Sequence, residues 1–102
     1  MKWKSIMVKI LDIGCGKESV AAQVFVGIED KEVTRLDADA NNTPDVLHDI
    51  TQELPPELHR QYDIVFASHV LEHIDRNKVI PTLVNISRAL KNLGEMWILV
   101  PS

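Results

Sequence analysis

Apolar residues fall along this chain in short runs, separated by polar stretches of helical periodicity. Such alternation predicts strands buried on both faces of a parallel sheet, with helices as the crossovers between them. Residues 7–12 form the first run, which ends in an acid, Asp12. A helix is expected over 17–26, where the small Ala21 and Ala22 allow close packing on a sheet. The second strand is expected over 33–36 and a short third over 45–48, separated by the turn residues Asn41, Asn42, Thr43 and Pro44. Pro55 and Pro56 mark a surface loop before the fourth strand, 62–67, whose near-continuous apolar run suits the centre of the sheet. Val79, Ile80, Leu83, Val84, Ser87 and Leu90 repeat at helical spacing, so a second long helix should reach about Asn92, with Gly94 as its stop. Pro81 fits only in that helix's first turn. A fifth strand over 96–100 completes an α/β pattern with no repeat and no second domain, so residues 1–102 read as one domain.

Between the first strand and the first helix lies Gly14-Cys15-Gly16. A strand, a glycine turn and a helix N-terminus together bring backbone N–H groups and the helix dipole to one point, a corner suited to nucleotides. The flanking residues discriminate among ligands. A phosphate-cradling P-loop needs glycine where Leu11 stands and a hydroxyl where Glu18 stands. A dinucleotide turn wants a third glycine, and Ser19 occupies that position. A pyrophosphate is repelled by a carboxylate placed like Asp12, whereas a cationic ligand with an amino-acid tail is attracted. S-adenosylmethionine (SAM) has both features.

Five segments then resemble, in order, those of class I SAM-dependent methyltransferases of the methyltransferase type 11-like kind. ILDIGCG (10–16) is similar to the family's glycine motif, although Glu18 stands where a small residue is usual. VTRLDAD (33–39) resembles the second strand and its acid, and DVLHDIT (45–51) the third. YDIVFASHVLEHI (62–74) resembles the fourth strand with its loop, and RALKNLGEMWILVP (88–101) the last helix and fifth strand. The resemblance implies a Rossmann-like sheet of strand order 3-2-1-4-5 with flanking helices, lacking the usual last two strands, and SAM as cofactor. It implies a cofactor site of Asp12, Gly14, Cys15, Gly16, Asp37, Ala38, Asp49, Ile50 and Ser68. Asp12 would take the methionine amino group, Asp37 the ribose hydroxyls and Asp49 the adenine, with the Ile50 backbone beside it. Asp37 could instead cap a turn, with Asp39 as its rival, and Asp49 could be the N-cap of a turn over 51–54. His69 is the candidate general base, a task that neutral imidazole suits, or a residue that only lines the pocket.

His69-Val-Leu-Glu72-His73 also matches the inverted zinc-peptidase pattern H-x-x-E-H. That motif belongs on a helix and needs a further acidic ligand. Here it follows a buried strand, so we assign no metal site. Cys15 reads as a small filler of the turn and is the only cysteine, which excludes an internal disulfide and points to a reducing, cytoplasmic setting. A formal charge of −4 argues against tight non-specific nucleic-acid binding, which depends on neutralising phosphates. No run is long enough to span a bilayer, and Lys9 and Asp12 interrupt the N-terminal apolar stretch before it could serve as a signal peptide. The family's covering N-terminal helices and last two strands have no counterpart in this sequence, and the interval between Asp37 and Asp49 is too short for the usual second helix. A fragment, a minimal member or a module completed by another chain is therefore expected, with Trp97 or Ile98 exposed on a fifth strand that a second copy or a partner would cover. Two functional readings stand: a methyltransferase core acting on an unidentified small-molecule acceptor, and a non-catalytic SAM-binding or degenerate module acting through protein contacts, which Glu18 and the absent strands support.

Overall fold

In the computed structural model, which describes residues 7–14 and 16–100, the run after Met7 forms β1, Val8–Ile13. It is followed by α1 (Val20–Val24), β2 (Lys31–Asp37), the two-residue β3 (Val46–Leu47), β4 (Tyr62–Ser68), α2 (Val79–Ala89) and β5 (Leu90–Leu99). All four strand pairings are parallel, in the order β3-β2-β1-β4-β5. The chain runs outward from β1 through β2 to β3, then crosses back to lay β4 against the other side of β1. The carboxyl ends of β1 and β4 therefore meet at the switch point where such sheets bind ligands.

Alternation along the strands divides the apolar residues into two layers. Leu11, Ile13, Leu36, Val65 and Ala67 face α2, where Ile86 and Ala89 pack on them together with Ile50, Leu54 and Leu58 from the β3–β4 connection. Ile10, Ile64 and Phe66 face α1, whose Ala21 has no exposed surface, with Phe25 just beyond the helix. Phe25 meets Phe66 and Trp97 edge-on, at centroid distances of 5.7 and 5.2 Å. Asp12, between Leu11 and Ile13, consequently lies on the α1 side.

The first four strands appear where the apolar runs place them, but β5 begins at Leu90 and not at 96, and both helices end differently from expectation. α1 begins at Val20 and not at 17, because Ser19 takes an extended conformation and its hydroxyl accepts the Ala22 N–H at 3.2 Å, an N-cap. α2 stops at Ala89 and not near Asn92. The chain entering β4 supplies the partners for its last carbonyls: Arg60 N–H donates to Arg88 O and Gln61 N–H to Ala89 O. Leu90 is then free to pair with Tyr62 as the start of β5. Gly94 is no helix stop. Tyr62 pairs with Leu90 and Ile64 with Glu95, so β5 bulges over 91–94. There a methyl on Gly94 would lie 2.9 Å from Lys91 O and 3.2 Å from Asp63 O. Pro81 sits in the first turn of α2, where its missing N–H has no helical acceptor to lose. Between β2 and β3 stands only a single 3-10 turn, Ala40–Asn42. On β5, Ile98 packs against the α2-side core, while Trp97 keeps 41% of its surface exposed.

Candidate functional site

The carboxyl ends of β1, β2 and β4 surround a cavity of about 300 Å³. Ile13 and Leu36 from the strands, Ile50 after β3, and Val70 and Ile74 after β4 form its apolar walls. Its polar groups are Asp37, His48, Asp49 and Thr51 on one side and His69 and His73 on the other, with the backbone of Gly14 and Ala38 between. A larger recess of about 570 Å³ opens at the other end of β4 and β5, lined by His59, Arg60, Arg88 and Lys91. It is built around the C-terminus of α2, where cationic side chains offset the helix carbonyls, so its charge has a structural cause. The cavity at the switch point is the candidate site.

Each functional side chain there is held by its own turn. Asp37 closes β2, and its carboxylate accepts the N–H groups of Gly16 (3.0 Å) and Asp39 (2.9 Å) and the Asn42 side-chain amide (3.1 Å). Burial works against its charge, but these donors outweigh it and hold Asp37 below the ordinary carboxylate value. Asp49 accepts both the N–H (2.9 Å) and the hydroxyl (2.8 Å) of Thr51, which likewise keep it ionised to lower pH. The buried Asn85 of α2 donates to Ile50 O and Gln52 O, both at 2.8 Å, and so ties the Asp49 turn to the helix. Gly14 has φ +66°, and a methyl there would stand 2.7 Å from Val70 Cγ2, so only glycine lets the two loops approach. His69 is exposed and holds φ +57°, its N–H donating to Leu99 O at 2.8 Å. Its Nδ1 lies 3.2 Å from Glu72 Oε2. With the proton on Nδ1, the carboxylate orients the ring and Nε2 keeps a lone pair.

The cavity thus brings together Gly14, Asp37, Ala38, Asp49, Ile50 and His69 of the residues singled out from the sequence. Asp12 does not line it. Asp12 is 1% exposed and accepts the Ser19 hydroxyl at 2.6 Å and the Ala21 N–H at 3.4 Å, behind the glycine turn. Burial raises its pKa, against the pull of Ser19, Ala21 and Arg35. Gly16 stands beside the cavity, its N–H on Asp37. Ser68 is half-buried at the end of β4, paired with Leu99, and Cys15 lies outside the described residues. Sequence reasoning did not find His48, Thr51 or, apart from Ile50, the apolar walls. Alternation within β1 and β2 marks Ile13 and Leu36 as facing one layer, but not as bordering a ligand. The H-x-x-E-H segment occupies a loop and the 3-10 turn Leu71–His73, with Glu72 on His69. Among the described residues no group of three His, Cys, Asp or Glu side chains is placed to hold a metal ion.

A family model described as a methyltransferase domain matches residues 7–102. The chain belongs to that family. No curated protein matches it in sequence. Among solved structures it is similar to a Methanococcus maripaludis protein assigned as a SAM-dependent methyltransferase, with a TM-score of 0.73 and 17% identity over 90% of this chain and 47% of that one. It is also similar to DhpI, solved as a complex with SAM (TM-score 0.69, 20% identity, 86% and 44% coverage). A third likeness is to Haemonchus contortus phosphoethanolamine N-methyltransferase 2, solved with phosphomonomethylethanolamine and S-adenosylhomocysteine (TM-score 0.69, 21% identity, 93% and 24% coverage). At these identities the likeness is one of fold, and the chain spans less than half the length of each.

Proposed function

We propose that this chain binds SAM at the switch-point cavity and is the cofactor-binding core of a methyltransferase acting on a small-molecule acceptor. The observation that carries the reading is the meeting of two ionised carboxylates, Asp37 and Asp49, with an apolar slot and a glycine turn at the ends of β1 and β2. Asp37 accepts ribose hydroxyls, sharing its oxygens with Gly16 and Asn42. Asp49 and the Ile50 backbone take the polar edge of adenine, with Leu36 and Ile50 against its faces. Gly14 and Gly16 let the backbone approach the methionine portion, and Asp12 acts through that turn by holding Ser19 and the start of α1. SAM, when bound, supplies an electrophilic sulfonium methyl. The residues at the end of β4 face the acceptor: Ser68 closes the strand, His69 follows it, and a His69 oriented by Glu72 takes a proton from an acceptor hydroxyl or ammonium. The rest of the catalysis is alignment, which can contribute up to ~7–11 kcal/mol.

Among the described residues no helix is long and apolar enough to cross a membrane. A cytoplasmic location is part of the proposal and is supported by the single cysteine. So is association through the β5 edge, which has a sheet neighbour on one side only among the described residues.

Calorimetric titration with S-adenosylhomocysteine, with NAD as control, tests the reading. Binding in the micromolar-to-millimolar range, absent for NAD and weakened in Asp37→Ala, is the expected result. A folded sample that gives no heat with S-adenosylhomocysteine would remove SAM from the assignment.

A further inference from the structure

Arg35 lies on β2 in register with Asp12 and on the same, α1-facing side of the sheet, so its guanidinium sits behind the cavity and outside its lining. It makes an unusual set of contacts. Nη2 donates to Gly16 O (2.7 Å), Lys17 O (3.2 Å) and Asn42 O (3.0 Å), and Nη1 to Thr43 O (3.0 Å). One side chain thereby joins the glycine turn after β1 to the turn after β2. The same two turns are joined from the front by Asp37, whose carboxylate receives Gly16 N–H and the Asn42 amide. Gly16 and Asn42 are each gripped twice, by their carbonyls from Arg35 and by their N–H groups from Asp37. Among the described residues, Nε of Arg35 is buried without a hydrogen-bond partner, so the fold keeps this side chain in place at a cost.

We propose that Arg35 is a positioning residue for the cofactor, setting the spacing between the glycine turn and the ribose-binding Asp37 from behind. This rests on the SAM reading above. Nη2 alone reaches carbonyls of both turns and Nη1 adds Thr43 O, so the role needs a nitrogen carried that far from β2 and a second one beside it. Lysine keeps the charge beside buried Asp12, but its ammonium ends a side chain one bond shorter and has no second nitrogen for Thr43 O. Among the described residues, Asp37, the group the ribose must share, would then be the side chain left joining the two turns. A preorganised site binds more tightly because ordering is not left to the ligand.

The test is S-adenosylhomocysteine affinity of wild type, Arg35→Lys and the core control Ile86→Val, at a temperature where circular dichroism shows each fully folded. A loss of global stability alone leaves the affinity of a folded sample unchanged, so the control should bind like wild type. Arg35→Lys should bind about tenfold more weakly or worse, the equivalent of one hydrogen bond to a charged group. Guanidinium ion at low millimolar concentration, added to Arg35→Ala, should restore part of the affinity, and urea should not. Arg35→Gln replaces the Lys variant if that one does not fold. Arg35→Lys binding as tightly as wild type overturns the positioning role and leaves the SAM site standing. A wild type that does not bind overturns the SAM reading and this role with it. Failure of Arg35→Lys and Arg35→Gln alike to fold would make Arg35 a residue of the fold and not of the site, and would also overturn the proposal.

Discussion

Asp12 and Asp37 behave oppositely although both lie near the carboxyl ends of neighbouring strands. Asp12 is buried, and desolvation lifts its pKa despite the Ser19 hydroxyl, the Ala21 N–H and the Arg35 charge. Its contribution to stability is therefore complete below the ordinary carboxylate value and is lost as pH rises through the raised one. Asp37 and Asp49 have lowered values, so theirs is present above the ordinary value and is lost as pH falls through the lowered ones. Asp12→Asn should consequently gain on wild type as pH rises from the ordinary carboxylate value of about 4 through the raised one. Urea midpoints measured across that range read the difference directly, and a gap that does not change with pH would contradict the burial argument. The placement of Asp12 before the glycines is legible in the sequence, but the face it takes is not. Alternation along β1 turns Asp12 to the α1 side, where Ser19, which reads in sequence only as a missing third glycine, is both helix cap and partner of the acid.

At the scale of elements, the same serine sets where α1 begins. Five residues are too few for a helix to stand by propensity, so α1 depends on its cap and on Ala21 and Phe25 beneath it. Ser19→Ala removes the cap, at a cost of about 1 kcal/mol. It also takes a hydroxyl donor from a buried carboxylate, so the observed loss, read from urea midpoints near neutral pH, should exceed that of a simple cap. A loss below about 0.5 kcal/mol would mean that water replaces the hydroxyl without penalty. The strands were readable because a run of apolar residues buried on both faces has few other uses. The helix ends were not, since each is fixed by a distant partner: α2 stops where the chain entering β4 donates to Arg88 and Ala89. Gly94, which resembles a helix stop, owes its identity to the carbonyls of Lys91 and Asp63 around the β5 bulge. Nor does helical spacing distinguish Asn85 as more than a polar interruption, although it carries the tie to Ile50 and Gln52.

For the whole molecule, the strand order and the position of the site follow from the motif order, while the cavity walls do not. Apart from Ile50, which its place after Asp49 singles out, Ile13, Leu36, Val70 and Ile74 are apolar in the same way as the core, and only the assembled sheet shows that they also border the cavity. The assembled sheet also exposes a consequence for the protein in solution. β5 is paired with β4 alone among the described residues, and Met96, Trp97 and Leu99 keep 37%, 41% and 42% of their surface exposed. An edge strand with apolar side chains and free backbone groups is a template for another strand. Trp97 is a poor position for testing this, because its ring packs on Phe25 and a change there would damage the α1 layer. Met96 has no such ring contact. Lysine at 96 can lay its stem along the sheet and keep its ammonium in water, leaving the fold within about 0.5 kcal/mol of wild type. Its charge would be desolvated by any strand that paired alongside. Sedimentation over a range of concentrations should therefore show wild type associating and Met96→Lys remaining monomeric, with similar urea midpoints for the two. Equal association of both proteins would place the contact on another surface and remove the β5 edge from consideration.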